Sequence, residues 1–205
     1  DEKDSWFSWG FRRCSWSLYK CCNRGWLIKT LNKILGIDPG LRITGYGVIL
    51  NTSGTLKYKT SGIIKTTNQD TNLASRIKII ISGLEEVIDK FEPDCIAIEK
   101  VFVNKNPQST LLLGQARGAA ISAAVIKNLD VYEYTALQVK KSVVGRGHAS
   151  KSQVQIMVQK LLNLPSLPTT DSADALACSI CHANISGSLA KFGMGNRMKS
   201  GRIIW

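Results

Sequence analysis

Four acidic residues stand where a folded chain could bring carboxylates together: Asp38, Glu99, Asp171 and Asp174. Asp38 closes the apolar run Ile34-Leu-Gly-Ile and precedes Pro39-Gly40, and Glu99 closes Cys95-Ile-Ala-Ile. Asp171 and Asp174 lie three apart at the start of a helical pattern, so both project from one face. Convergent carboxylates repel one another at neutral pH, which raises their pKa values unless a cation neutralises them. Donors that are all oxygen select a hard ion, Mg²⁺ or Mn²⁺, over zinc. One or two such ions would activate a water and stabilise the leaving oxygen in phosphodiester cleavage. Each acid also has a plainer reading: Asp38 in a turn, Glu99 at the surface end of a strand, Asp171 as a helix cap, Asp174 favoured by the helix dipole.

The elements that must position these acids follow from periodicity. Ile34 to Asp38 reads as a buried strand, and residues 45–50 and 57–65 as two more, joined by Asn51-Thr-Ser-Gly54 in an antiparallel meander. Leu73, Ile77, Ile80, Ile81, Leu84, Val87 and Ile88 mark an amphipathic helix over about 72–90, ended before Pro93. Residues 95–99 and 130–134 are the fourth and fifth strands, with a helix rich in small residues over 109–125 between them. Further helices are expected at about 136–144, 150–162 and 171–183. The order implies an α/β domain with a five-stranded mixed sheet flanked by helices. In a sheet with parallel strands, ligands bind at the carboxyl ends, where Asp38 and Glu99 fall.

The 205 residues suit one domain with flanking segments. Residues 34–188 form that domain. Residues 1–33, with four of the five Trp and three of the six Cys, read as an atypical N-terminal extension outside the fold. Residues 189–205, with four basic residues, three Gly and no acid, read as a flexible basic tail. With no signal-peptide pattern ahead of them, the cysteines are expected to be reduced cytoplasmic thiols. No apolar run is read as approaching the roughly 18 residues of a membrane span, so no membrane partner is expected.

A net charge of +12 points to a polyanionic partner. The flanks carry +4 each, leaving +4 on the domain. Within it, residues 100–160 hold nine basic residues against Asp130 and Glu133, a net +7 suited to a DNA backbone. Lys105, Arg117 and Arg146 are its candidate phosphate contacts. Lys151, at a helix start, could meet the scissile phosphate and stabilise charge in the transition state, or be an ordinary solvated helix end. Phe102, in a polar loop, could stack on a base or anchor that loop. Cys178-Ser-Ile-Cys-His182 has the spacing of haem attachment, but packing along one helix explains it better. His148 is expected to be exposed in the loop Gly145-Arg-Gly-His-Ala149.

Taken together, Leu35-Gly-Ile-Asp-Pro-Gly40, Gly45-Tyr-Gly47, Ala97-Ile-Glu-Lys-Val-Phe102, Leu113-Gly-Gln-Ala-Arg-Gly118, Gln138-Val-Lys140, Lys151-Ser-Gln-Val154 and Asp171-Ser-Ala-Asp-Ala-Leu176 closely resemble the RuvC Holliday-junction resolvases. The resemblance spans about residues 34–186, with the motifs in family order. It implies an RNase H-like fold, a homodimer, and symmetric Mg²⁺-dependent cutting of four-way junction DNA, with a RuvA–RuvB branch-migration complex as partner. It also makes Asp38, Glu99, Asp171 and Asp174 the catalytic metal-binding acids, Lys140 and Lys151 catalytic cations, and Phe102 a residue that stacks on junction bases.

Overall fold

The computed structural model describes residues 31–66, 72–100, 106–191, 198–199 and 202–203. Three strands, β1 (Leu31–Asp38), β2 (Ile43–Thr52) and β3 (Thr55–Lys65), form the expected meander. They are followed by α1 (Leu73–Phe91), β4 (Cys95–Glu99), α2 (Pro107–Ile126), β5 (Asp130–Tyr134), α3 (Ala136–Val144), α4 (Lys151–Leu161) and α5 (Thr170–Lys191). The five strands make one mixed sheet in the order β3-β2-β1-β4-β5. β1 pairs antiparallel with β2, and β2 with β3. β1 and β4 run parallel, as do β4 and β5.

Strand alternation divides the core into two layers. Leu35, Ile37, Val48, Ile96 and Ile98 face α1 and α2, meeting Ile80, Leu84 and Ile88 of α1 and the alanines of α2. Ile34, Ile49, Cys95, Ala97 and Tyr134 face the opposite way, onto α3, α4 and α5. α5 is the central element of that second layer: Ala173, Ala175, Leu176, Ala177, Cys178, Ile180 and Cys181 have no exposed surface. A helix apolar nearly all round must be covered on every side. The sheet covers one side of α5 and helices α3 and α4 the other.

Three expectations about the flanks and α2 need correction. β1 begins at Leu31, ahead of the boundary at residue 34, because β2 runs on to Thr52 and supplies ladder partners for Leu31, Asn32 and Lys33. The basic tail is not uniformly flexible: α5 continues to Lys191, and Met198–Lys199 pairs antiparallel with Arg202–Ile203 as strands β6 and β7. The sequence between those strands is Ser200-Gly201, a dipeptide that favours turns. Finally, α2 is 20 residues long with a mean hydropathy of 1.2, so one described helix does have the length and apolarity of a membrane span. Its inner face, Ala116, Ala119, Ala120, Ala123 and Ala124, is buried in the first core layer.

Candidate active site

The alternation that builds the core also aims the strand-end acids. Ile34 faces the α5 layer, and the period of two carries Gly36 and then Asp38 to that side. Cys95 and Ala97 face it too, so Glu99 follows. Parallel pairing matches Ile37 with Ile98, and one step further the same register sets Asp38 beside Glu99.

The other two acids arrive on α5, whose seat is cut by glycines. A Cβ on Gly36 would overlap the backbone of Ala175 and Ser179, and one on Gly45 would overlap Asp171. A Cβ on Gly47 would come within 2.6 Å of the Leu176 side chain. Gly36 and Gly47 are ladder partners, so β1 and β2 present a bare strip on which the helix rests directly. The start of α5 is capped by Thr169, whose Oγ1 accepts from the Ser172 N–H at 3.4 Å and whose carbonyl accepts from Ala173 N–H at 2.8 Å. Asp171 is therefore not the cap that its position allowed.

The carboxylates act on one another electrostatically, after burial. Burial, reinforced by Asp174, Glu99 and Asp171 and opposed by Lys151, pushes the Asp38 carboxyl up to about 7. Glu99 is also raised, by burial and then Asp174, while Lys151 and Lys140 pull it down. Lys151 Nζ donates to Asp174 Oδ2 at 3.1 Å, and that carboxylate raises the lysine's own pKa. A capping box fixes this cation: Gln153 N–H donates to Ser150 Oγ at 3.2 Å, and Ser150 N–H to Gln153 Oε1 at 2.9 Å. Lys151 is thus the first residue of α4, where the helix dipole disfavours a positive charge and Asp174 offsets it. The same Thr135–Gln138 device starts α3, which carries Lys140.

A cavity of about 360 Å³ opens over these groups. Asp38, Glu99 and Asp174 line it together with Lys100, Lys140 and Lys151, above apolar walls that include Leu113, Val139 and Val154. Lys100 is a cleft residue that sequence reasoning counted only as charge; its adjacency to Glu99 was the available signal. Asp171 is not among the lining residues, although its charge reaches Asp38 and Lys151.

Other candidates lie elsewhere. Arg117 on α2 is ion-paired with Glu133 of β5, which also attracts Lys100 at 3.9 Å. Arg146 and His148 are exposed in the loop after Gly145, which closes α3 at a φ of 80°. Phe102 and Lys105 fall outside the described residues. Cys178 and Cys181 are fully buried free thiols, their ionisation pushed up by burial, to about 12 for Cys181. His182 Nδ1 lies 2.7 Å from the Tyr134 hydroxyl and Nε2 3.4 Å from Cys95 Sγ. Burial lowers its pKa to about 4, so this imidazole is a neutral member of the core.

Among the described residues, no three acidic, His or Cys side chains cluster closely enough to form a ready-made metal cage. The donor set nonetheless suits a hard cation: all its atoms are carboxylate oxygens, and Asp38 is under strain that a positive charge would relieve.

A mixed sheet in this order, with acids at the ends of two adjacent parallel strands and more on the helix crossing them, defines an RNase H-like nuclease fold. Residues 34–182 match the family model for crossover junction endodeoxyribonuclease RuvC. The crossover junction endodeoxyribonuclease RuvC of Methylobacillus flagellatus is 62% identical over 177 residues, covering 84% of this chain and 98% of that protein. The protein of the same description from an Azoarcus species is 58% identical over 173 residues, covering 84% and 93%. The structure of Thermus thermophilus RuvC in complex with a Holliday junction substrate superposes with a TM-score of 0.71 at 31% identity, covering 77% of this chain and 96% of that one. The chain belongs to the RuvC family.

Proposed function

We propose that this chain is a structure-selective endonuclease that resolves Holliday junctions by paired, symmetric, metal-dependent phosphodiester cleavage in DNA recombination and repair. The observation that carries this reading is the cleft where Asp38, Glu99 and Asp174 face Lys100, Lys140 and Lys151. Carboxylates alone would repel a phosphate, and lysines alone could hold one without cutting it. Asp38, Glu99, Asp171 and Asp174 would bind Mg²⁺, with Mn²⁺ as a substitute, one or two ions per site. When bound, the metal would supply an activated water and charge stabilisation at the leaving oxygen. Lys151, held by Asp174, would neutralise charge growing on the phosphate, and Lys140 would favour the ionised form of Glu99.

Phe102 is assigned to stack on junction bases, and Lys105 and Arg146 to contact phosphates. Arg117 contributes through its pair with Glu133. Paired cuts need two sites, hence a homodimer. The outward stripe of α2, Leu111, Gly114, Gly118, Ser122 and Val125, supports a second copy packing there. Leu111 and Val125 are 64% and 61% exposed, and the two glycines meet nothing within 4 Å. A RuvA–RuvB complex is the expected branch-migration partner, and the cytoplasm the expected compartment.

The test is Asp38→Asn on a synthetic four-way junction with Mg²⁺. Cutting should fall by about three orders of magnitude or more while junction binding is largely kept. Undiminished cleavage by this variant would defeat the assignment.

A further inference from the structure

One buried imidazole has no part in the chemistry described so far. His182 stands on α5 about three helical turns beyond Asp171, a spacing that brings both onto one side of the helix. Its Nδ1 lies 2.7 Å from the Tyr134 hydroxyl and its Nε2 3.4 Å from Cys95 Sγ, and its ring centroid is 4.4 Å from that of Tyr132. Burial keeps the three hydrogen-bonding groups neutral: it lowers the imidazole to about 4, pushes the Cys95 thiol up to about 12 and raises the Tyr134 phenol. A neutral imidazole has one N–H and one lone pair, so the chain is satisfied in either of two directions. In one, the phenol donates to Nδ1 and Nε2–H donates to the sulfur; in the other, the thiol donates to Nε2 and Nδ1–H donates to the phenol oxygen.

The partners of His182 belong to the strands beside the acids. Cys95 opens β4 and Glu99 closes it, and Tyr134 of β5 is the ladder partner of Glu99. Near the start of α5, Ser172 Oγ donates to the Gly62 carbonyl of β3 at 3.3 Å. The helix is thus tied first to one edge of the sheet and, about three turns later, to β4 and β5. Between the ties it rests on the strip of Gly36, Gly45 and Gly47. Apolar contact of that kind is non-directional and tolerates sliding and rotation, whereas a hydrogen bond weakens steeply when its geometry is lost. Sliding matters here, because a displacement of about 1 Å at a reacting group can cost about a hundredfold in rate.

We propose that His182 is a positioning residue of the nuclease site: bonded to Tyr134 and Cys95, it sets how α5 is rotated and shifted over β4, and so holds Asp171 and Asp174 where they can share a hard divalent cation with Asp38 and Glu99. The inference rests on the nuclease reading above and deepens it.

The test uses the full-length protein with three substitutions. His182→Leu keeps apolar bulk and removes both bonds, His182→Asn returns a polar atom near the place of Nδ1, and Tyr134→Phe deletes one hydroxyl. Mn²⁺ binding is read without DNA by electron paramagnetic resonance. Cleavage of a four-way junction in Mg²⁺ is read per folded molecule, the folded fraction being taken from near-ultraviolet circular dichroism. His182→Leu should weaken Mn²⁺ binding about tenfold and lower kcat about thirtyfold, with KM for the junction within about twofold of wild type. His182→Asn should recover most of both losses. Tyr134→Phe should weaken Mn²⁺ binding about threefold and add nothing in the His182→Leu background. If His182→Leu does not fold, Tyr134→Phe carries the same prediction alone. A purely structural role would lower the folded fraction only, so wild-type Mn²⁺ affinity and kcat per folded molecule in these variants overturn the inference. Fully additive losses overturn the route through Tyr134. Mn²⁺ held by the wild type and about tenfold more weakly by His182→Leu, in a protein that cuts no DNA, keeps the positioning of the acids and refutes the nuclease reading instead.

Discussion

Asp38 carries a strain that can be read without any nuclease assay. Its carboxyl is pushed up to about 7, by burial first and then by Asp174 and Glu99. An aspartate in the unfolded chain titrates near 3.9, so between about pH 4 and 7 the folded protein holds the extra proton. Without metal, stability should therefore fall as pH rises from about 4 to about 7 and level off above. Asp38→Asn removes this loss: in urea unfolding without divalent ions, the variant should gain on the wild type between about pH 4 and 7, and added Mg²⁺ should narrow the gap. Parallel stability curves would mean that the acids do not strain one another. Asp38 and Glu99 were legible in the sequence because an apolar run with period two fixes which way its last residue points. Asp171 was named from the sequence too, but its alternative reading as the helix cap is set aside only by the bond from Ser172 N–H to Thr169 Oγ1. The pairing of Arg117 and Lys100 with Glu133 was hidden, since it depends on how α2 is rotated against β5.

At the scale of elements, the site is an encounter between a strand pair and one helix. β1 and β4 are joined by hydrogen bonds that fix Asp38 relative to Glu99. α5 is held by packing on Gly36, Gly45 and Gly47, and no ladder corrects a misplaced helix. Gly36→Ala forces a methyl group into the backbone of Ala175 and should cost about 3 kcal/mol in denaturant unfolding. Gly187→Ala in the same helix, where a Cβ meets nothing within 4 Å, should be neutral or stabilise by up to about 1 kcal/mol. Similar losses at both positions would show that helix propensity, not the seat, sets the sensitivity. The five strands and five helices of the domain were expected from the sequence, α1 through a clear apolar period and α2 through its run of small residues. The reach of β1 back to Leu31 was not, because Asn32 and Lys33 break that period and are held by pairing with β2. The β6–β7 pair was hidden for the same reason: two-residue strands are too short to show a period.

The whole molecule distributes its charge unevenly. Of the +12, the segments before residue 34 and after 188 hold +8, so bulk charge alone would misplace the DNA. The long apolar helix α2 belongs at this scale too. Its single charge, Arg117, is paired inward, and its outer stripe of Leu111, Gly114, Gly118, Ser122 and Val125 has room for another helix. Under the proposed homodimer, Gly118→Arg should yield a monomer by sedimentation and turn paired junction cuts into single nicks. A variant that stays dimeric and cuts in pairs would remove α2 from the interface. The order of the elements along the chain has a further result for synthesis. Asp38 and Glu99 leave the ribosome long before Asp171 and Asp174, and until α5 docks, one face of the sheet with Ile34, Ile49 and Cys95 lacks its cover. A nascent or prematurely released chain would thus lack two of the proposed metal-binding acids and be prone to aggregate, so that completing the fold and completing the proposed site are coupled in time.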